Sequence, residues 1–97
     1  MLDVNKVMVL SGDIVLRSIS NKFWALNTKN GAQYKLNEVS YFILNCFRKE
    51  IPVSQMLDRV MEEYRVGRNQ LLDDCDSALQ IALNSGIIKE VRDDETV

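Results

Sequence analysis

Ninety-seven residues carry a net charge of −2, with 46% hydrophobic and 27% charged side chains, one Pro, four Gly and no His. That size and composition suit one globular domain with its own core. The lack of any basic block argues against a chain whose main task is neutralising phosphates. Without histidine, most zinc sites, the usual proton shuttle at neutral pH and every nucleophile–histidine arrangement fall away.

The opening residues Met1 to Lys6 lack the basic and apolar regions of a signal peptide. No apolar run approaches the roughly 20 residues of a membrane span, so a cytoplasmic chain is expected. Val7-Met8-Val9-Leu10 is a short apolar run, readable as a strand or as an arm across a sheet, and Ser11-Gly12-Asp13 breaks it. Ile14 to Ile19 is rich in β-branched residues and reads as the first firm strand. Ser20-Asn21-Lys22 is a turn, and Phe23-Trp24-Ala25-Leu26 is the second strand. Its apolar residues do not alternate, as in a central strand covered on both faces, with Val7 to Leu10 a candidate cover. Trp24 reads as a packing residue.

Asn30-Gly31 predicts a tight type I′ turn, which needs positive φ at both central residues. Beyond it Ala32, Tyr34 and Leu36 alternate with Gln33 and Lys35, the period of a half-buried strand. Successive hairpins make a meander in chain order, which leaves this third strand at an edge. Asn37 stands where a helix N-cap belongs.

The first helix is predicted from Glu38 to Phe47, with Val39, Phe42, Ile43, Cys46 and Phe47 as its core stripe. Pro52 stops that pattern and suits the start of a second helix ending near Tyr64, which buries Val53, Met56, Leu57, Val60, Met61 and Tyr64. Arg65-Val66-Gly67 breaks the chain again. The third helix spans Arg68 to Asn84, with Leu71, Leu72, Cys75, Ala78, Leu79, Ala82 and Leu83 facing in. Gly86 suits a left-handed cap, and Ile87-Ile88 pack back on the domain. Cys46 and Cys75 both fall on apolar helix faces and read as small hydrophobes rather than a redox pair. The expected architecture is α+β: a three-stranded antiparallel meander, then a three-helix bundle like a winged helix-turn-helix in element order. One domain covers 1–90 and an acidic flexible tail 91–97.

Catalytic constellations are missing. Glu62-Glu63 and Asp73-Asp74-Asp76 lie on polar helix faces with nothing obliged to converge on them. Gly12, Gly31, Gly67 and Gly86 are isolated, so no phosphate loop forms, and no Cys-x-x-Cys occurs. Neither catalysis nor a cofactor nor a metal is expected.

The run from Phe23 to Val39, with its strand, short turn and aromatic-containing strand ending in Leu36-Asn37, resembles the PqqD family. Pro52 to Leu57 and Glu62 to Val66 are similar to its second helix, and Leu71, Asp74, Leu79 and Gly86-Ile87-Ile88 to its third helix and closing apolar pair. The resemblance covers roughly residues 14 to 90. It departs at Pro52, where many relatives carry a polar cap residue. What it implies is a RiPP recognition element, which binds the leader of a ribosomally made precursor peptide and presents it to a modifying enzyme such as a radical SAM protein, a peptidase or a cyclase. Family members bind the leader as an added strand beside the third strand, in a groove walled by the third helix.

The residues themselves fit that mode, since an open edge gives an added strand backbone hydrogen bonds while alternate side chains enter pockets. The candidate peptide-binding residues are Ala32, Gln33, Tyr34, Lys35 and Leu36 on the strand, and Arg68, Leu72, Asp76 and Leu79 on the third helix. Tyr34 and Leu36 share a face with Ala32 and read as core. Leu72 and Leu79 fit core or groove, and Asp76 fits groove or solvent. Lys35 has two readings, an edge charge that discourages aggregation or a partner for an acidic leader residue. An open edge also permits a homodimer. The competing classes are a winged-helix DNA-binding regulator, which Asp73, Asp74 and Asp76 on the recognition helix disfavour, and a non-catalytic structural subunit of an enzyme complex.

Overall fold

The computed structural model describes residues 3–65 and 67–91, so all but the first residue of the expected tail at 91–97 lies outside the described residues. The strands are β1 (Val7–Leu10), β2 (Ile14–Ile19), β3 (Lys22–Asn27), β4 (Gln33–Leu36), β5 (Ile51–Pro52) and β6 (Ile88–Val91). The helices are α1 (Glu38–Cys46), α2 (Val53–Tyr64) and α3 (Arg68–Asn84). β2, β3 and β4 form the expected antiparallel meander in that order. A second antiparallel sheet, ordered β5-β1-β6, was not foreseen. Val7–Leu10 is therefore its central strand, and Val91 is a strand residue rather than the start of a tail. Two residues of β5 and four of β6 are too short for a period to show.

The two hairpin turns exchange roles relative to expectation. Ser20 and Asn21 both take positive φ, 51° and 64°, and join Ile19 to Lys22 across a two-residue turn. That is the type I′ geometry. At the Asn-Gly pair only Gly31 is left-handed, with φ 77°. The reason is Asn27: its side-chain oxygen accepts from the N–H groups of Lys29 and Asn30, and its carbonyl accepts from Gly31 N–H. This widens the loop to four residues closed by the bond from Asn27 N–H to the Ala32 carbonyl.

Helix ends explain how the layers join. Asn37 caps α1, its Oδ1 accepting from Ser40 N–H at 2.7 Å. Pro52 precedes α2 as part of β5 and offers no side-chain cap. The first amides of α2 instead donate to main chain beside β1, Val53 N–H to the Lys6 carbonyl and Ser54 N–H to the Val4 carbonyl. α3 ends in a Schellman arrangement: Gly86 N–H donates to the Leu83 carbonyl and Ile87 N–H to the Ala82 carbonyl, with Gly86 at φ 75°. Ser11, just after β1, donates its N–H to the Ile87 carbonyl and its hydroxyl to the Gly86 carbonyl.

Between the layers lies a core whose fully buried large side chains are Phe47, Met56, Leu57, Leu79, Ile88, Val53, Val60 and Cys75. On α1 the buried residues are Ile43, Leu44 and Cys46, while Phe42 is half-buried and Val39 is exposed. The stripe is thus rotated by about one residue from expectation, towards Leu44. Cys46 and Cys75 are free and buried. Burial, with smaller contributions from Asp74 and Cys46, pushes the Cys75 thiol up to about 11. No helix among the described residues is long and apolar enough to cross a membrane.

Candidate functional site

Among the described residues β4 pairs only with β3, so its far edge is open. Antiparallel pairs alternate between hydrogen-bonded and non-bonded, and the bonded pair Asn27–Ala32 sets the phase. The register Ala25↔Tyr34 and Phe23↔Leu36 then turns the main-chain groups of Tyr34 and Leu36 towards β3. Those of Gln33 and Lys35 point out of the sheet. Two N–H and two carbonyl groups are therefore offered to an incoming strand.

Side chains alternate as well: Gln33 and Lys35 are exposed, Tyr34 and Leu36 half-buried against the core. Below the edge lies a pocket of about 160 Å³, walled by Lys35 and Leu36 of β4, by Ser40, Ile43 and Leu44 of α1, and by α3. The α3 wall consists of Ala78, Ile81 and Ala82, and Ile87 closes the end. Ile81 is 64% exposed, a large apolar side chain left at the rim. Lys35 is the one charged residue in this lining among the described residues.

Of the residues predicted for binding, Lys35 and Leu36 meet at the pocket, and Gln33 contributes main chain. Ala32 precedes the strand, its N–H held by Asn30 Oδ1 at 2.9 Å. The α3 set fares differently. Leu79 is 1% exposed and belongs to the core beneath the pocket. Leu72 packs part-buried against that core. Asp76 is half-buried, with Oδ1 lacking a hydrogen-bond partner among the described residues. Arg68 opens the helix, about 20 Å along its axis from Ile81 at 1.5 Å per residue. Leu72, Asp76 and Leu79 do not line the pocket. Ala78 and Ile81 line the pocket and were not among the predicted residues. The available signal was phase: Leu71, Cys75, Leu79 and Ala82 form the buried stripe, and Ile81 is a large apolar residue outside it.

A family model described as Coenzyme PQQ synthesis protein D (PqqD) matches residues 20–88. A search of curated proteins gives no match. Solved structures share the fold, two of them as follows. One, of TbiB1 in complex with the TbiA(beta) leader peptide, is similar with TM-score 0.74 and 20% identity over 88% of this chain and 99% of that one. The other, lasso peptide synthetase B1 complexed with the leader peptide, gives TM-score 0.70 and 16% identity over 84% of this chain and 96% of that one.

Proposed function

This chain belongs to the PqqD family, and from that premise we propose that it is a leader-peptide adaptor rather than a catalyst. It captures the leader of a ribosomally made precursor as an added strand and presents it to a modifying enzyme. The observation that carries this reading is the open β4 edge, with Gln33 and Lys35 main chain facing out directly above an apolar pocket. A peptide lying along β4 gains backbone hydrogen bonds with Gln33 and Lys35, while an apolar side chain of the peptide enters between Leu36 and Ile81. Lys35 is placed to meet an acidic residue next to that anchor. Leu79 acts from beneath by holding Ala78 and Ile81 in place. Leu72 and Asp76 would touch only a leader that continues along α3, and Arg68 marks the start of that helix. The two structural neighbours, each solved with a leader peptide, support the leader-binding part of this reading.

An NMR titration with the leader of a precursor encoded beside this chain tests it. Amide shifts are expected at residues 33–36 and at Ala78, Ile81 and Ile87. Shifts scattered elsewhere, or none, would refute the reading. Duplex DNA at moderate salt is the control and is expected to change nothing.

A further inference from the structure

α1 separates two cavities. Ser40, Ile43 and Leu44 face the pocket beside β4, whereas Glu38, Tyr41 and Phe42 line a second, more open pocket of about 440 Å³. At about 100° per residue these two sets sit on opposite sides of the helix. The second pocket is completed by Phe23 at the head of β3 and by Glu63 and Tyr64 at the end of α2. Its rings are paired: Phe23 and Tyr41 have centroids 4.8 Å apart, and Phe42 and Tyr64 meet edge-on at 5.6 Å. Tyr64 donates its hydroxyl to Glu38 Oε2 at 3.2 Å.

The charge in this pocket is one-sided. Glu38 and Glu63 line it, no Lys or Arg does, and neither carboxylate is in an ion pair among the described residues. Arg48 is outside the lining and donates its Nε–H to Asn45 Oδ1, and it forms no ion pair with Glu38 or Glu63 among the described residues. Burial first, then Glu38 and Glu63, pushes the Tyr64 hydroxyl above its ordinary pKa, in keeping with a negative local potential.

We propose that this pocket receives an Arg or Lys side chain from a basic segment of the enzyme to which the peptide is presented. Aromatic rings attract a cation through their quadrupoles, and two carboxylates without a cationic partner add to that attraction. Because the pocket lies across α1 from the β4 edge, both sites can be filled together. Only the identity of the partner as that enzyme rests on the function proposed above; the cation site stands on its own geometry.

The probe is the peptide acetyl-Gly-Arg-Gly-amide, titrated at low salt into the labelled chain, alone and saturated with leader. Saturable shifts are expected at Phe23, Tyr41, Phe42, Tyr64 and Glu63, with the same affinity in both samples. The citrulline counterpart, isosteric but neutral, should give none. Glu63→Gln and Glu38→Gln should each weaken the Arg peptide about threefold. Equal shifts with the citrulline peptide, unchanged affinity in both variants, competition by leader, or tighter binding of spermidine than of the peptide would each overturn the proposal. A leader that fails to bind while the Arg peptide does would discard the adaptor reading and leave the cation site intact.

Discussion

The pocket beside β4 and the pocket beside the end of α2 share α1 as a wall, and little else about them is alike. The first is small and aliphatic, carries a single Lys, and lies under an edge whose main chain is unsatisfied. The second is open and ring-lined, carries two Glu, and adjoins a hairpin turn already closed by its own geometry. One helix produces both, because residues three and four apart share a side and the sides alternate around the turn. The difference teaches what each can hold. An unsatisfied backbone edge calls for another backbone. An open aromatic pocket with excess negative charge calls for a cation.

The comparison predicts a gradient of effects. The largest is beneath the aliphatic pocket: Leu79→Ala should lower stability by about 2–5 kcal/mol, because it empties a fully buried site. Chemical denaturation reads this directly, and a loss under about 1 kcal/mol would place Leu79 at the surface instead. Next comes the edge itself. Lys35→Pro deletes an outward N–H and should weaken leader binding at least about tenfold by calorimetry. Tyr34→Pro deletes an N–H turned to β3 and should cost more in melting temperature. The reverse order would mean that the phase of β4 is wrong. Third is the rim: Ile81→Ala should shift stability by less than about 0.5 kcal/mol yet reduce leader affinity about tenfold. It should leave binding of the Arg peptide untouched.

Much of this was legible in the sequence, and the losses have physical causes. β2 and α3 were read with their true bounds, since six β-branched-rich residues and seventeen with a steady apolar stripe carry enough period to count. The Asn37 cap and the left-handed Gly86 followed from local chemistry alone. β5 and β6 did not, because a two-residue and a four-residue strand exist only through pairing with β1, a contact between chain segments some 40 and 80 residues apart. The Asn30-Gly31 turn was misjudged because the competing group, the Asn27 side chain, lies outside the dipeptide that carries the signal. The α3 residues that line the pocket were not singled out for a related reason. Apolar periodicity separates inside from outside, but a groove residue such as Ile81 is outside the core and apolar at once, and only the position of β4 reveals it.

The smallest effects come from the charges, and they give the cleanest separation of the two pockets. Lys35 and Glu63 are both exposed, so reversing either should scarcely alter folding, and each interaction is worth about 0.5–1 kcal/mol before salt screens it. Lys35→Glu should lower affinity for a leader bearing an acidic residue about two- to fivefold at low salt, with the difference shrinking as salt is added. The Arg peptide should bind as before. Glu63→Lys should do the opposite, leaving leader affinity unchanged and weakening Arg-peptide binding about five- to tenfold at low salt. If Lys35 serves only to keep the edge from self-pairing, its reversal will not touch leader affinity, and Lys35→Val will raise self-association in sedimentation instead. A double variant with both charges reversed should show the sum of the single effects, because the groups face away from each other across α1 and share no partner. Coupling beyond about 0.5 kcal/mol would show that the two pockets communicate through the helix between them.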